Sequence, residues 1–240
     1  AYSVFTSIEK KISDKSSLNF TGFFTPNRRG KSSPNTQEVF DLKGIKYNDY
    51  WGFLNGRKVN SRIKEVSEPI LMLNHYWNLS KNTSINTNIA YQFGKIGNSR
   101  IDYNGGTNPS PTYYQNLPSS FLENGNISGA YKAQQNFINN GQLDWERIYD
   151  ANNTNNITKT SAAYILYEDR NDDKQFNLNS IVSVEINDNI YFNGKIAYRK
   201  LKSENFAKVK DLLGSSIGYL DFNRFGNSAE QQQNNLQNPN

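Results

Sequence analysis

The sequence predicts an all-β chain, part of a large antiparallel transmembrane β-barrel with short periplasmic turns and long extracellular loops. Three observations predict it: few aliphatic but many aromatic residues, six segments of polar and apolar alternation, and connections that are short at one end of the segments and long at the other. Of 240 residues only 35% are hydrophobic, yet there are 15 Tyr, 14 Phe and 3 Trp, with a mean hydropathy of -0.79. So few aliphatics would not fill an ordinary core, and so many aromatics do not suit a disordered chain. A barrel strand reconciles the two, being apolar on one side only and carrying aromatics at the membrane interfaces.

The first hairpin covers residues 1–25. Tyr2, Val4, Ile8 and Ile12 fall on one side of its first strand, against Ser3, Ser7, Glu9 and Lys11. In its second strand Leu18, Phe20 and Phe24 oppose Asn19, Thr21 and Thr25, while Phe5 and Phe23 depart from the pattern. Ser13-Asp14-Lys15-Ser16 supplies turn chemistry between them. The second hairpin covers 69–94 around Ser80-Lys81-Asn82-Thr83. Leu71, Leu73, Trp77, Ile85, Ile89, Tyr91 and Phe93 are predicted to face lipid, and Asn86, Asn88 and Gln92 the lumen. The third covers 176–201 around Asn187-Asp188-Asn189, with Val182, Val184, Ile186, Phe192 and Ile196 toward lipid and Asn193, Lys195 and Arg199 toward the lumen.

Between the hairpins lie two long polar links, 26–68 and 95–175, followed by 202–240, all predicted as extracellular loops. Structureless connections of that length are uncommon in compact domains but normal on the outer side of a barrel. A soluble β-sandwich that binds carbohydrate is the rival architecture, disfavoured because its connections are short and its core needs more aliphatics. Six strands are too few to close a bacterial barrel, and an open sheet in lipid would leave backbone groups unpaired. The chain is therefore expected to be a fragment of a larger barrel domain. Ala1-Tyr2-Ser3-Val4-Phe5 already alternates, so the chain is read as starting inside a strand, with no signal peptide in it.

Catalytic chemistry finds no constellation. With a single His75 and no Cys, neither a His-based zinc site nor a His-paired nucleophile can be assembled, and no phosphate-binding fingerprint follows a strand. No catalytic or metal-ligating residue is assigned and no cofactor is expected; the run Glu168-Asp169-Arg170-Asn171-Asp172-Asp173 offers carboxylates to Ca²⁺ without EF-hand spacing, and if Tyr164 to Glu185 is one long strand continuing above the membrane, as its alternation permits, these charges are the solvated part of the wall. The net charge of +5 is scattered, which speaks against a nucleic-acid partner. Arg28, Arg29 and Lys31 have the chemistry to meet lipopolysaccharide phosphates. The candidate ligand or partner contacts are loop aromatics: Tyr47, Tyr50, Trp51, Phe53, Tyr103, Tyr113, Tyr114, Trp145 and Tyr149. Packing of the loops on one another is the plainer reading for the same residues. Tyr76, Trp77, Tyr91, Tyr191 and Tyr198 read as an interfacial girdle, and the Gln- and Asn-rich stretch from Ser228 as a loop tip.

The stretch Phe23-Phe24-Thr25-Pro26-Asn27-Arg28-Arg29-Gly30-Lys31-Ser32-Ser33-Pro34-Asn35-Thr36, with Leu73-Asn74-His75-Tyr76-Trp77, Asn88 to Arg100 and Asn108-Pro109-Ser110-Pro111-Thr112-Tyr113-Tyr114, resembles the barrel domain of TonB-dependent receptors from Bacteroidetes, above all flavobacteria. The resemblance runs to about Tyr219-Leu220-Asp221. It implies a Gram-negative outer-membrane barrel of about 22 strands that imports a scarce ligand, is plugged by a globular domain not present in this chain and is driven by the TonB complex; a surface lipoprotein is a further expected partner, for the loop aromatics to grip. The alternative is a non-transporting barrel, an adhesin or a subunit of a secretion or surface-assembly complex.

Overall fold

A computed structural model describes residues 2–220 and Ala229; the expectations for Ala1 and for the stretch from Ser228 to Asn240, Ala229 aside, lie outside the described residues. The chain forms β1 (Val4–Ser13), β2 (Ser16–Phe24), β3 (Asn27–Gly30), α1 (Gln37–Lys43), β4 (Trp51–Leu54), β5 (Arg57–Asn60), β6 (Ile63–Ser67), β7 (Ile70–Asn78), β8 (Thr83–Tyr103), α2 (Pro118–Glu123), α3 (Ile127–Asn140), α4 (Trp145–Thr158), β9 (Tyr164–Asn187) and β10 (Ile190–Asp211). Eight of the strands make one large sheet, and β4 and β5 a separate hairpin. No helix among the described residues is long and apolar enough to cross a membrane.

The sheet is simpler than its strand count suggests. Only Thr25-Pro26 separates β2 from β3 and only Glu68-Pro69 separates β6 from β7, and the members of the two pairs match: β2 lies beside β7, β3 beside β6, and β8 beside both β6 and β7. Proline has no N–H for the ladder, so each break falls where the chain lacks a donor. The result is an up-and-down succession in chain order, completed by β9 beside β8 and β10 beside β9. Gly94 passes the Glu68-Pro69 break at φ +141°, and a Cβ there would stand 2.0 Å from the Ser67 carbonyl oxygen, so only glycine fits. The sheet is not closed: β1 and β10 each have one paired neighbour among the described residues.

Two compact units share the chain. The first, residues 1–29, 64–97 and 169–206, is sheet. The second, residues 30–63, 98–168 and 207–240, is mixed and corrects the expectation of structureless loops at 26–68 and 95–175. Asn126 caps α3 by accepting from Gly129 N, Asp144 caps α4 by accepting from Arg147 N, and Pro118 opens α2 where a missing N–H costs nothing. In α3 the spacing of Ala130, Ala133 and Phe137 buries one stripe, with Phe137 meeting Val39 of α1 and Leu117. In α4, Trp145 and Ile148 pack with Leu143, Ala163, Tyr164 and Leu213. The β4–β5 hairpin meets the segment before α4 at Gly52, whose Cβ would fall 1.7 Å from the Leu143 carbonyl oxygen.

The strands also run beyond the predicted hairpins, β8 to Tyr103, β9 from Tyr164 and β10 to Asp211. At the start of β9 alternate residues enter different cores: Tyr164 and Leu166 join Trp145, while Ile165 and Tyr167 join Ala162 and Tyr219. A strand covered on both faces shows no polar–apolar alternation.

Asn152, 0% exposed, holds this region together. Its amide donates to the carbonyls of Tyr164, Leu212 and Leu213, and its carbonyl accepts from Ala163 N and Tyr164 N. Replacing it by Ala is expected to cost about 3 kcal/mol, because several buried backbone groups lose their partner at once. Hydrogen exchange on the full-length protein should show lost protection over 145–168 with the amides of β7 unchanged. Undiminished protection over 145–168 would refute the assignment.

Candidate functional site

Two arrangements carry chemistry, one in each unit. In the first unit it is the division of the sheet into two unlike faces. The pairing register sets Ile8, Phe20, Leu73 and Ile89 side by side across β1, β2, β7 and β8, and sets Glu9, Asn19, Asn74 and Asn88 in the next row on the other face. Along the first face follow Gly22, Leu71 and Tyr91 in one direction, and Trp77 with Ile85 in the other. Thr87 Oγ1 lies 2.9 Å from Ser180 Oγ and Asn88 donates to Asn179, which fixes the same faces on β9. Asn193, hydrogen-bonded to Ser183, and Gly194, whose Cβ would touch Val182, extend them to β10.

Every residue predicted to face lipid therefore shares one side: Leu71, Leu73, Trp77, Ile85, Ile89, Tyr91, Phe93, Val182, Val184, Ile186, Phe192 and Ile196. Asn86, Asn88, Gln92, Asn193, Lys195 and Arg199 share the other. Leu71, Leu73, Trp77, Tyr91, Ile186, Phe192 and Ile196 are exposed, and nothing among the described residues of this unit covers them. The polar side is knitted by uncharged groups: Asn74 to Asn19, Asn19 to Ser7, Thr21 to Asn19 and Asn88 to Asn179. Arg199 donates to Gln175 and Ser203 to Asp173. Phe5 and Phe23, which depart from the alternation, sit opposite each other on the polar side beside Ile70. His75 lies on the apolar side near the turn, 2.9 Å from Ser16 Oγ and stacked on Trp77.

In the second unit the loop aromatics divide. Trp145 is 1% exposed and donates through Nε1 to Val59 O, so it is a core residue and offers no face to a ligand, a correction to its predicted contact role. Tyr103 and Tyr149 pack against the same core. Tyr47 packs edge-on against Phe137 and donates to the Gly141 carbonyl. Trp51 lies in β4 under Lys58 and edge-on to the exposed Phe53. Tyr50 lies under the Arg62 guanidinium. Tyr113 and Tyr114 meet edge to face, with Tyr114 61% exposed.

The second arrangement centres on Asp49, which sequence reasoning passed over as one more polar loop residue. Its carboxylate is 4% exposed; Oδ2 accepts from Ser110 Oγ at 2.9 Å and Thr112 Oγ1 at 2.7 Å, whereas Oδ1 has no hydrogen-bond partner. Ser110 to Tyr113 make a tight turn, Tyr113 N donating to Ser110 O at 3.1 Å with Pro111 in its second position, and the Ser110 and Thr112 hydroxyls, 3.0 Å apart, reach one oxygen. Asp49 and Arg62 both line a cavity of about 250 Å³, together with Tyr50, Ser61, Tyr103 and Asn108. A larger hollow of about 600 Å³ lies beside α3, lined by Asn108, Phe121, Lys132, Asn136 and Arg147.

For the calcium reading, the described residues hold no group of three His, Cys, Asp or Glu side chains able to bind a metal ion. The charges of the acidic run lie along β9, where Arg170 grips Asp172 through two nitrogens and Lys210 approaches Glu168. Arg28 and Arg29 lie exposed in β3 and Lys31 follows it, half-buried.

Burial, and then the Asp49 charge, push the Tyr47 phenol well above its ordinary pKa of 10.0. Both folded and unfolded states hold the phenol proton below about pH 10, so nothing is lost there. Above it the unfolded state releases the proton while the folded state keeps it, so stability falls as pH rises toward the raised folded value. Tyr47→Phe is expected to cost about 1–2 kcal/mol at neutral pH, leaving the Gly141 carbonyl short of a donor, and to flatten the alkaline decline. Urea unfolding of both proteins at neutral and alkaline pH measures the two effects.

Comparisons with protein-family models, with curated proteins and with solved structures found no match to this chain.

Proposed function

We propose that this chain is a segment of a large outer-membrane β-barrel and that the barrel is a TonB-dependent receptor importing a ligand from outside the cell. The observation that carries the membrane reading is the division of one antiparallel sheet into an uncovered apolar face with Tyr and Trp among its residues and a face of Asn, Ser, Thr, Lys and Arg. In water the apolar face would cost about 25 cal/mol for each Å² exposed; against acyl chains it costs nothing. The same strands, at 21, 24 and 22 residues for β8, β9 and β10, exceed the roughly 9–11 residues that span a bilayer, so they continue out of it. The free edges of β1 and β10 find their partners in further strands of the barrel wall, since an unpaired edge in lipid costs several kcal/mol per group.

Import is the reading supported by the resemblance and by a wall whose polar face lines a lumen. The expected partners are lipopolysaccharide at the outer rim, where Arg28 and Arg29 lie exposed, the TonB complex acting through a plug domain, and a surface lipoprotein. A non-transporting barrel with an adhesive or assembly role shares the wall and differs only in the cycle.

Two measurements test these layers separately. Refolded into lipid vesicles, Ile89→Arg should lose about 2–4 kcal/mol near the midplane while Asn88→Arg, its neighbour on the other face, is mild; equal losses would refute the membrane orientation. For import, spent medium from a strain lacking the gene should retain a compound that the wild type depletes, and a strain lacking TonB should retain the same compound. Depletion at the wild-type rate in both strains would leave the non-transporting barrel.

A further inference from the structure

We infer that the turn-side end of the sheet's apolar face is a binding site for an anionic phospholipid, with the headgroup at Lys10 beside the Ser16–His75 pair and the acyl chains along Ile8, Phe20 and Leu73. The site rests on the membrane reading of the wall and adds to it a ligand and a place.

The starting point is a polar row where the face is otherwise apolar. Lys10 pairs with Leu18, Leu18 with His75 and His75 with Thr87, so these four side chains share the side of Ile8, Phe20, Leu73 and Ile89 and stand one step nearer the turns. Ser180 continues the row, its hydroxyl 2.9 Å from that of Thr87. One step further on, Ser16 pairs with Trp77. Ser16 Oγ lies 2.9 Å from His75 Nε2, and the His75 and Trp77 rings stack with centroids 6.0 Å apart. Thr87 and Ser180 therefore serve each other, as do Ser16 and His75. The Lys10 ammonium has neither an ion pair nor a hydrogen bond among the described residues.

A lone ammonium on a lipid-facing side is costly unless an anion meets it. The carboxylates of β1 and its turn do not: Glu9 stands on the polar side, and Asp14 holds Lys11 at 2.7 Å. The strands set the depth. β1 ends at Ser13 and β7 at Asn78, so Lys10 and His75 each stand three residues from the turn, about 10 Å along the strand at roughly 3.4 Å per residue and less in depth because barrel strands tilt. From there a Lys side chain reaches headgroup phosphate, and Trp77 is a ring that such interfaces favour. Lys15 and Lys81, in the two turns, add exposed positive charge without an ion pair, so an anionic headgroup is preferred to a zwitterionic one. Away from the turns the exposed Ile8, Phe20 and Leu73 offer the acyl chains an uncovered path.

Brominated acyl chains quench tryptophan on contact, and the quenching lost in Trp77→Phe belongs to Trp77. The full-length protein is refolded into phosphatidylcholine vesicles in which a minor fraction of the lipid is brominated phosphatidylglycerol or, separately, brominated phosphatidylcholine. Phosphatidylglycerol should occupy the place beside Trp77 about fivefold more often than phosphatidylcholine, as one basic residue at an anionic lipid surface predicts. Lys10→Gln should bring the two lipids level. Lys15→Gln with Lys81→Gln, and Arg28→Gln with Arg29→Gln at the opposite end of the sheet, should each keep most of the preference. Equal quenching by the two lipids, or a preference that survives Lys10→Gln, overturns the inference and leaves the membrane reading standing; no quenching of Trp77 by either lipid overturns both. Should Lys10→Gln fail to refold, the two lipids on the unsubstituted protein decide alone.

Discussion

The sheet depends on an unbroken antiparallel register. Because side chains alternate along a strand, a slip of one residue between any two neighbours would move a whole apolar set onto the polar side. From β7 to β9 no slip occurs: Ile70 pairs with Gln92 and Asn78 with Ser84, Thr87 meets Ser180 and Asn88 meets Asn179. The two proline breaks do not disturb this, since the break between β2 and β3 and that between β6 and β7 occur in strands that remain matched on both sides. Where β1 does shift, between Lys11 and Ser13, only the Ser13–Ser16 pair and the turn follow it.

That constraint decides what could be read from residues in order. Alternation is visible where one face meets an apolar medium and the other a polar one, as in Ile85 to Phe93, and there the sequence and the register assign the same residues to the same sides. At Tyr164 to Tyr167 both faces are covered and four large apolar residues follow one another, so a loop reading of 95–175 competes there with that of one long strand from Tyr164 to Glu185. The helices were hidden for another reason. α4 is rich in Asn and Thr, residues that favour turns when nothing packs on them, and its placement comes from tertiary contacts: Trp145 and Ile148 in the core and the Asn152 amide inside it. No local pattern announces such a helix.

The aromatic residues make the same point with a different outcome. On the sheet, Trp77 and Tyr91 keep their rings on the exposed apolar face. In the second unit Trp145 is sealed and Tyr47 half-buried, each packed into a core together with aliphatic and aromatic residues such as Ile148 and Phe137. A ring in a polar stretch signals that something must be packed, and only coordinates say whether the partner is the chain itself or a ligand. Of the predicted loop aromatics Tyr114 and Phe53 are left outward, as is Tyr131 of α3.

Asn152 and Asp49 show how burial separates structural from functional polarity. Both are almost wholly enclosed and both lie outside the large sheet, but Asn152 has every hydrogen-bonding atom occupied by backbone, which fixes β9 against α4. Asp49 has one oxygen doubly served and the other empty. A fully satisfied group has nothing further to gain from a ligand, whereas a desolvated acceptor lacking a donor gains nearly the full strength of the bond it is offered. On the sheet's polar face most Asn, Ser and Thr side chains are cross-bonded to one another, but Asn86 Oδ1 is, like Asp49 Oδ1, a buried oxygen without a partner. Discrimination between ligands requires groups that are paired with the right one and stranded with the wrong one, and among the described residues the buried side-chain atoms left without a partner are Asp49 Oδ1 in the second unit and Asn86 Oδ1 in the wall.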